Sequence, residues 1–124
     1  MARPHLTCSV KVLPLPEESQ PEAGQHAFSY TVTIVNTGDV AAQVIARHWV
    51  ITDETGTTQE VRGLAVVGRQ PLLKPGERFE YTSWTPLPTP TGTMRGSFFC
   101  MTENAFPFEA RVPEFALVAP SALH

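Results

Sequence analysis

Two arginines and two glycines lie close together in the middle of this 124-residue chain, within the run Arg-Gly-Leu-Ala-Val-Val-Gly-Arg at residues 62–69. Glycine allows the backbone to turn successive N–H groups towards an anion, and arginine offers a permanent positive charge with several donors. We therefore treat Arg62, Gly63, Gly68 and Arg69 as candidate ligands of a small anion. The alternative is a turn-forming loop whose arginines are hydrated.

The sequence after this run excludes a dinucleotide-binding loop of the Rossmann type. Such a loop works because a helix follows it and directs N-terminal N–H groups and a dipole at the phosphate. Here Gly68 is followed by Arg-Gln-Pro, and no helical spacing of apolar residues comes after it. An anion site at residues 62–69 would therefore depend on loop N–H groups and arginine side chains alone.

The titratable residues form no pattern that suggests catalysis or metal binding. Asp53 and Glu54 are adjacent in a turn sequence, where neighbouring side chains point apart, so we interpret them as turn residues. His48 is predicted on the polar face of its strand, either as a hydrogen-bonded structural histidine or as a base or ligand. Neither a metal-ligand spacing of His and Cys nor a Gly-x-Ser-x-Gly elbow occurs. The sequence predicts no enzyme activity, no catalytic residue, no cofactor and no metal site.

The composition is typical of a globular protein with no nucleic-acid or membrane partner. The chain is 42% apolar and 17% charged, with a formal net charge of -3 and no basic stripe. The N-terminal residues contain no apolar signal region, and no apolar run could span a bilayer, which predicts a cytoplasmic location. Cys8 and Cys100 lie far apart in apolar phases, which favours two buried thiols over a disulfide.

Alternating apolar residues place all of these groups on β-strands and their connections. No window shows helical spacing sustained over three turns. Of twelve prolines, none lies between Pro21 and Pro71, where uninterrupted central strands are expected. The segments predicted as strands are residues 6–13, 28–34, 40–52, 57–62, 78–82, 94–100, 106–110 and 115–119. Their alternation places Trp49, Phe98, Cys100 and Phe106 on inward faces, and Lys-Pro-Gly-Glu at residues 74–77 is predicted as a tight turn. Seven to eight antiparallel strands predict an all-β, immunoglobulin or fibronectin type III-like β-sandwich, with residues 1–124 as a single domain.

One candidate partner-binding segment is an edge strand. Asp-Glu-Thr-Gly at residues 53–56 is a hairpin turn, after which residues 57–62 return as a mostly polar strand suited to a sheet edge. Because an edge strand can pair with an extended segment of another protein, Thr57 and Gln59 are candidate partner contacts.

A second candidate partner-binding segment is rich in proline. Residues 85–92, Thr-Pro-Leu-Pro-Thr-Pro-Thr-Gly, are predicted as an extended surface loop, because proline cannot donate to a sheet interior. Pro88 and Pro90 would then either contact a partner or form a rigid connector.

Four segments, which cover nearly everything after the first strand, are similar to a known family. They are FSYTVTIVNTGDV (28–40), RHWVITDETGTTQEVRG (47–63), the stretch from VVGRQP to MRGSF (66–98) and VPEFALVAPSALH (112–124). In these segments the chain resembles the ApaG family of small bacterial proteins. The resemblance implies a fibronectin type III-like sandwich and a link to cobalt and magnesium tolerance or efflux. It also implies an interaction domain, since related domains occur fused to other modules in eukaryotic proteins, including an F-box protein.

The resemblance also bears on the arginine- and glycine-bracketed run. Family members typically carry a Gly-x-Gly-x-x-Gly sequence that has been proposed to hold pyrophosphate or a nucleotide. In this chain the run stands at residues 63–68, with Ala65 in place of the middle glycine. A Cβ at that position limits the approach of a phosphate to the backbone and resists a positive φ, which weakens the implied anion site.

Taken together, the residues and the resemblance predict a non-enzymatic interaction module with a protein partner of unknown identity. The alternative is a sensor that binds a phosphoanhydride, pyrophosphate or nucleotide, at residues 62–69. A homodimer is compatible with either function.

Overall fold

The computed structural model describes residues 3–120 and contains two antiparallel β-sheets packed face to face. The strands are β1 Leu6–Pro14, β2 His26–Asn36, β3 Ala42–Asp53, β4 Thr58–Leu64, β5 Leu72–Leu73, β6 Arg78–Leu87, β7 Thr91–Thr102 and β8 Pro107–Val118. The small sheet has the order β1-β2-β6. The large sheet has the order β4-β3-β7-β8, and β5 pairs with β3. The predicted all-β sandwich of seven to eight antiparallel strands is confirmed.

Two short 3₁₀ turns, Pro16–Glu18 and Pro21–Ala23, lie in the connection between β1 and β2. Among residues 3–120 there is no helix with the length and hydropathy needed to cross a bilayer.

Two central strands, β2 of the small sheet and β3 of the large sheet, lie in the proline-free stretch as predicted, whereas β7, which also has a neighbour on each side, lies outside it. In β2, Phe28, Val32 and Ile34 are buried, whereas Thr31 and Thr33 lie on the outer face of the small sheet. β2 therefore has one apolar and one polar face, as expected for an antiparallel sheet that covers a core on one side.

Trp49 of β3 occupies the middle of the core and is only 2% exposed. Its ring meets Tyr30, Phe98 and Phe115 edge to face, with centroid distances of 5.5, 5.8 and 6.3 Å. Gly96 of β7 lies directly against this ring, because an added Cβ would be 2.5 Å from the indole and would collide with the backbone oxygen of His48. The absence of a side chain at Gly96 makes room for the indole.

The two tight turns that were predicted from side-chain types are present. The hairpin between β3 and β4 turns at Gly56, which has φ 86°. The Lys74–Glu77 turn places Gly76 at φ 88° and is closed by the Glu77 N–H, which donates to the Lys74 carbonyl at 2.9 Å. Both glycines occupy the left-handed region that disfavours a Cβ.

The C-terminal part of the chain differs from the prediction. The segments predicted as two strands, 106–110 and 115–119, form the single strand β8, which pairs with β7 along most of its length. The register shifts between Met94 and Gly96 of β7, since two residues of β8, Pro113 and Glu114, lie opposite one residue of β7. This is a β-bulge, which accommodates the proline without ending the strand.

Three further assignments were wrong in detail. Phe106, predicted to face the core, is 56% exposed because it precedes β8 in the turn. β4 runs to Leu64, two residues beyond the predicted end, and β5 was not predicted. The bounds of a short edge strand depend on its pairing partner, which the sequence does not show.

The proline-rich segment 85–92 is largely paired rather than a loop. β6 continues to Leu87 and β7 begins at Thr91, so only residues 88–90 connect them. Pro86 lies opposite Ala27 of β2. The backbone groups of Ala27 point away from β6, because its N–H donates to Ser19 Oγ and its carbonyl accepts from the Leu15 N–H. Pro86 therefore lies at a position of the edge strand where no donor to β2 is required.

Candidate functional site

The two lateral margins of the sandwich differ in how they are closed. At one margin β1 packs against β8. At the other margin β4 and β6 end their sheets, and among residues 3–120 neither pairs with a further strand. We call this margin, formed by β4 and β6, the open margin. Free strand edges present backbone donors and acceptors to solvent and are sites of pairing with other chains.

A groove crosses the open margin and has a volume of about 370 Å³. We call it the Trp84 groove; its wall is formed chiefly by His26, Gln59, Trp84, Pro86, Leu87 and Pro88. Gln59 comes from β4 of the large sheet, whereas Trp84 and Leu87 come from β6 of the small sheet. The groove therefore joins the two edges.

Trp84 is the outstanding exposed apolar side chain of this margin, with 62% of its surface accessible. Trp84 also lines a second depression, together with Leu15, Glu18, Ser29 and Thr82. In the register of the small sheet, Leu13, Ser29 and Trp84 are directly opposite one another, and Leu13 is also exposed. The indole thus lines two hollows, and Glu18 is a charged side chain that lines both of them.

The strand parity of β6 explains why Trp84 faces outwards. Tyr81, Thr85 and Leu87 point into the sandwich and are buried. Trp84 shares the opposite phase with Thr82, whose hydroxyl lies 2.8 Å from that of Thr31 on the outer face of β2. The predicted strand ended at residue 82, so Trp84 was not identified, although the same alternation continued by two residues places it outside.

The hydrogen bonds of β2 show which backbone groups of β6 are free. Ala27 and Thr37, which have the same parity, bond towards β1, with Thr37 N–H donating to the His5 carbonyl at 3.0 Å. Because bonding alternates along an antiparallel strand, only the residues of even number in β2 bond to β6. Their partners in β6 are odd-numbered. The N–H and C=O groups of Arg78, Glu80, Thr82 and Trp84 consequently face the free edge.

The structure brings together two of the four residues predicted to bind a partner. Gln59 and Pro88 line the Trp84 groove, although they come from different sheets and are distant in sequence. Thr57 lies in the hairpin turn, where its carbonyl accepts from Asp53 N–H at 3.0 Å. Pro90 is not part of the wall of the Trp84 groove, and its carbonyl accepts from Ala119 N–H at 2.8 Å.

The four residues predicted to bind an anion are divided between two places. Gly63 belongs to β4, and an added Cβ would lie 2.7 Å from the Arg47 guanidinium. Arg62 and Gly63 border a groove on the outer face of the large sheet together with His48. The Arg62 guanidinium is 3.6 Å from Glu60 and largely exposed.

Gly68 and Arg69 lie instead in a tight turn that follows β4. Val66 and Arg69 exchange two backbone hydrogen bonds, of 2.8 and 2.9 Å, and Val67 and Gly68 between them have φ values of 45° and 78°. The Arg69 guanidinium lies 5.6 Å from the ring centre of Phe79. The N–H groups of Val66 and Arg69 are thus used within the turn.

The conformation of Ala65 differs from expectation. We expected the Cβ to resist a positive φ, whereas Ala65 has φ 68°. Its N–H donates to the Ile45 carbonyl at 2.8 Å, and Arg47 Nη1 donates to the carbonyls of Leu64 and Ala65, both at 2.9 Å. These bonds hold the residue in the left-handed region despite its side chain.

The titratable groups have identifiable local partners. His48 Nε2 lies 2.8 Å from Glu60 Oε1, and this hydrogen bond lowers the pKa of Glu60. Burial raises the pKa of Cys8 to about 11 and that of Cys100 to about 12, so both free thiols stay protonated and weakly nucleophilic at neutral pH. Within residues 3–120 no group of three or more His, Cys, Asp or Glu side chains is placed to hold a metal ion.

Comparison with known proteins gives consistent matches along the chain. The family model described as the ApaG domain matches residues 16–102. The Protein ApaG of Ralstonia nicotianae is 57% identical over 124 residues, covering 100% of both chains. The Protein ApaG of Bordetella pertussis is 59% identical over 119 residues, covering 96% of this chain and 91% of the relative.

Solved structures agree with the fold. The crystal structure of a Bordetella pertussis protein named ApaA superposes with a TM-score of 0.92 at 58% identity, covering 94% of this chain and 95% of that chain. The C-terminal domain of wzt has a TM-score of 0.56 at 10% identity, covering 96% of this chain and 75% of that chain, and shows the fold alone. The match of the family model to residues 16–102 and the full-length identity to the Ralstonia protein show that this chain belongs to the ApaG family.

Proposed function

We propose that the chain is a non-enzymatic protein-interaction module of the cytoplasm that binds an extended segment of another polypeptide at the open margin. The observation that carries this proposal is the position of Trp84. Its indole is 62% exposed, lines two hollows and adjoins a strand edge that no further strand pairs with among residues 3–120.

The energetics of protein interfaces support this assignment. Tryptophan is enriched among the few interface residues that supply most of the binding energy, and its truncation at such a site costs about 2 kcal/mol or more. The Trp84 groove supplies an apolar wall from Leu87 and Pro88, with Gln59 at its rim as a hydrogen-bonding group. An extended segment would add main-chain hydrogen bonds along the edge, a combination used in recognition by strand addition.

The nature of the bound segment follows from the surface around Trp84. Ser29 and Thr82, which flank the indole on the outer face of the small sheet, are uncharged. The complementary segment therefore places an apolar or aromatic side chain against Trp84, and a donor on that segment can meet Glu18, which lines both hollows. On this proposal, the link to cobalt and magnesium tolerance that the family resemblance implies is exerted through the bound partner.

An affinity capture at high salt tests the proposal. Wild-type protein, Trp84→Ser and Leu64→Ser are immobilised and exposed to a lysate of the organism that encodes the chain. Leu64 is 75% exposed on the outer face of the large sheet and is the matched control. We expect one partner to be retained by wild type and Leu64→Ser and lost with Trp84→Ser. Equal retention by all three proteins, or no retention, would refute the proposal.

A second hypothesis, a phosphate-containing ligand, is favoured by Arg62 alone. Its exposed guanidinium borders the groove on the large sheet that also contains His48. Thermal stabilisation by pyrophosphate that is lost in Arg62→Gln and retained in Arg69→Gln would support such a ligand. No stabilisation of the wild-type protein would dismiss it.

A further inference from the structure

The free edge of β6 is suited to pairing with itself. The four residues whose backbone groups face this edge, Arg78, Glu80, Thr82 and Trp84, also carry their side chains on the outer face of the small sheet, as Glu80 and Thr82 show by bonding to β2 side chains. Because their spacing is regular over seven residues, a second β6 in antiparallel orientation could exchange hydrogen bonds with all four.

We infer that the open margin binds a second copy of this chain, through antiparallel pairing of β6 with β6 about a two-fold axis at Tyr81. This inference rests on the proposed function, since it names one occupant of the same surface. Pairing joins the two small sheets into a continuous sheet of six strands. A two-fold interface is self-complementary, so every contact occurs twice.

The side chains determine this register. With the axis at Tyr81, Arg78 lies opposite Trp84 of the second copy, and Glu80 lies opposite Thr82 of the second copy. Directly opposed side chains on one face have Cβ atoms about 5 Å apart, which lets a guanidinium stack over an indole. The glutamate and threonine can share a hydrogen bond. The exposed indole is thereby covered by a cation in both halves of the interface.

The neighbouring registers lose this complementarity. An axis at Glu80 sets two carboxylates directly opposite each other, which is destabilising. An axis at Thr82 sets Glu80 opposite Trp84 of the second copy, where a negative charge meets the electron-rich face of the ring. Only the axis at Tyr81 pairs opposite or compatible groups at all four positions.

The other free edge is less suited to self-pairing. β4 has seven residues against ten in β6. β4 also lacks an exposed aromatic side chain in its central part. The preference for β6 over β4 is therefore part of the inference and is tested with it.

Pairing over residues 78–84 uses the same strand edge and the same indole as the extended segment of the proposed function. The second copy and a heterologous segment therefore exclude each other, and Trp84 contacts one of them at a time.

Sedimentation analysis of matched proline variants tests the inference. Thr82→Pro removes a donor at the free edge of β6, and Glu60→Pro removes the corresponding donor at the free edge of β4. Neither N–H belongs to the ladder of its own sheet, so both variants are expected to fold. Thr82→Ala controls for loss of the hydroxyl contact with Thr31. Arg78→Glu weakens the pairing through charge without changing the backbone.

We expect wild type, Thr82→Ala and Glu60→Pro to form a dimer over about a hundredfold range of concentration, with Thr82→Pro and Arg78→Glu at least about tenfold weaker in association. Circular dichroism verifies the fold of each variant. A wild-type monomer at every concentration, a Thr82→Pro dimer of undiminished affinity, or selective loss in Glu60→Pro would overturn the inference. A monomer that still captures a partner through Trp84 would overturn the dimer inference but not the proposed function. A dimer that captures no other protein would overturn the proposed function but not the dimer inference.

Discussion

The two tryptophans of this chain show how strand position separates stability from binding. Trp49 lies on β3, with a neighbouring strand on each side, and its inward phase buries it to 2% exposure among aromatic rings. Trp84 lies on β6, at the end of the small sheet, and its outward phase leaves it 62% exposed. A large apolar side chain in the first position holds the sheets together, whereas in the second it is available to another molecule.

The strongest test of this contrast is removal of the buried indole. We expect Trp49→Ala to destabilise the protein by about 3–5 kcal/mol, because it deletes a large side chain whose cavity the two sheets cannot refill. The free energy of unfolding is measured by urea denaturation.

Trp49→Phe is the control for that substitution. Trp49 Nε1 is buried without a hydrogen-bond partner among the described residues, so phenylalanine removes an unsatisfied donor along with part of the ring. The loss should therefore be clearly smaller than for alanine. Equal losses in the two variants would mean that ring packing is not what Trp49 contributes.

The residue beneath Trp49 gives the next largest expected effect. Gly96→Ala should cost about 1–3 kcal/mol, since the added methyl would overlap the indole and the His48 carbonyl. Ser97→Ala, at the adjacent position on the outer face, should change the unfolding free energy by less than about 0.5 kcal/mol. A tolerated Gly96→Ala would show that the indole has freedom to move, contrary to its described packing.

The core region around Trp49 was accessible from the sequence. The alternation in β2 and the proline-free stretch identified β2 and β3, and Trp49, Phe98 and Cys100 were placed inwards by parity alone. Such local patterns suffice because a central strand has one face that must be apolar. The hairpin turn at Gly56 was equally local, since turn residues there admit few alternatives.

The region around Trp84 was not accessible in the same way. Pro86 was interpreted as part of a loop, although it is tolerated on an edge strand. The strand predicted to end at residue 110 likewise continues through Pro113, which a bulge accommodates. Whether a strand is an edge depends on sheet order, which no single segment encodes. The convergence of Gln59, Trp84 and Pro88 from opposite sheets likewise depends on tertiary packing.

The stability contributed by the hairpin turn between β3 and β4 should depend on pH. The pKa of Asp53 is lowered from 3.8, first by the hydrogen bond from the Thr55 hydroxyl and also by backbone N–H groups of Thr55, Gly56 and Thr57. Because the pKa of Asp53 is lower in the folded state, this stabilisation is fully present at a pH above the pKa of the unfolded state. It is lost as the pH falls through the pKa of the folded state.

Asp53→Asn tests that linkage. We expect its Tm at neutral pH to lie a few degrees below that of the wild type, and the two melting temperatures to converge in acid. Thermal denaturation monitored by circular dichroism across the acid range measures both. A difference that persists unchanged in acid would contradict a charge-dependent role for Asp53 in the turn.

The smallest stability effect is expected where the proposed binding effect is largest. Trp84→Ser should alter the unfolding free energy by no more than about 0.5 kcal/mol, because the indole is mostly hydrated and β6 keeps its ladder with β2. The same urea titration used for Trp49→Ala provides the measurement, and acrylamide quenching of the single-tryptophan variants shows which ring is accessible. Trp84 should be quenched readily and Trp49 weakly. A loss of more than about 1.5 kcal/mol would place Trp84 among the residues that maintain the fold, and its exposure would then no longer indicate a binding surface.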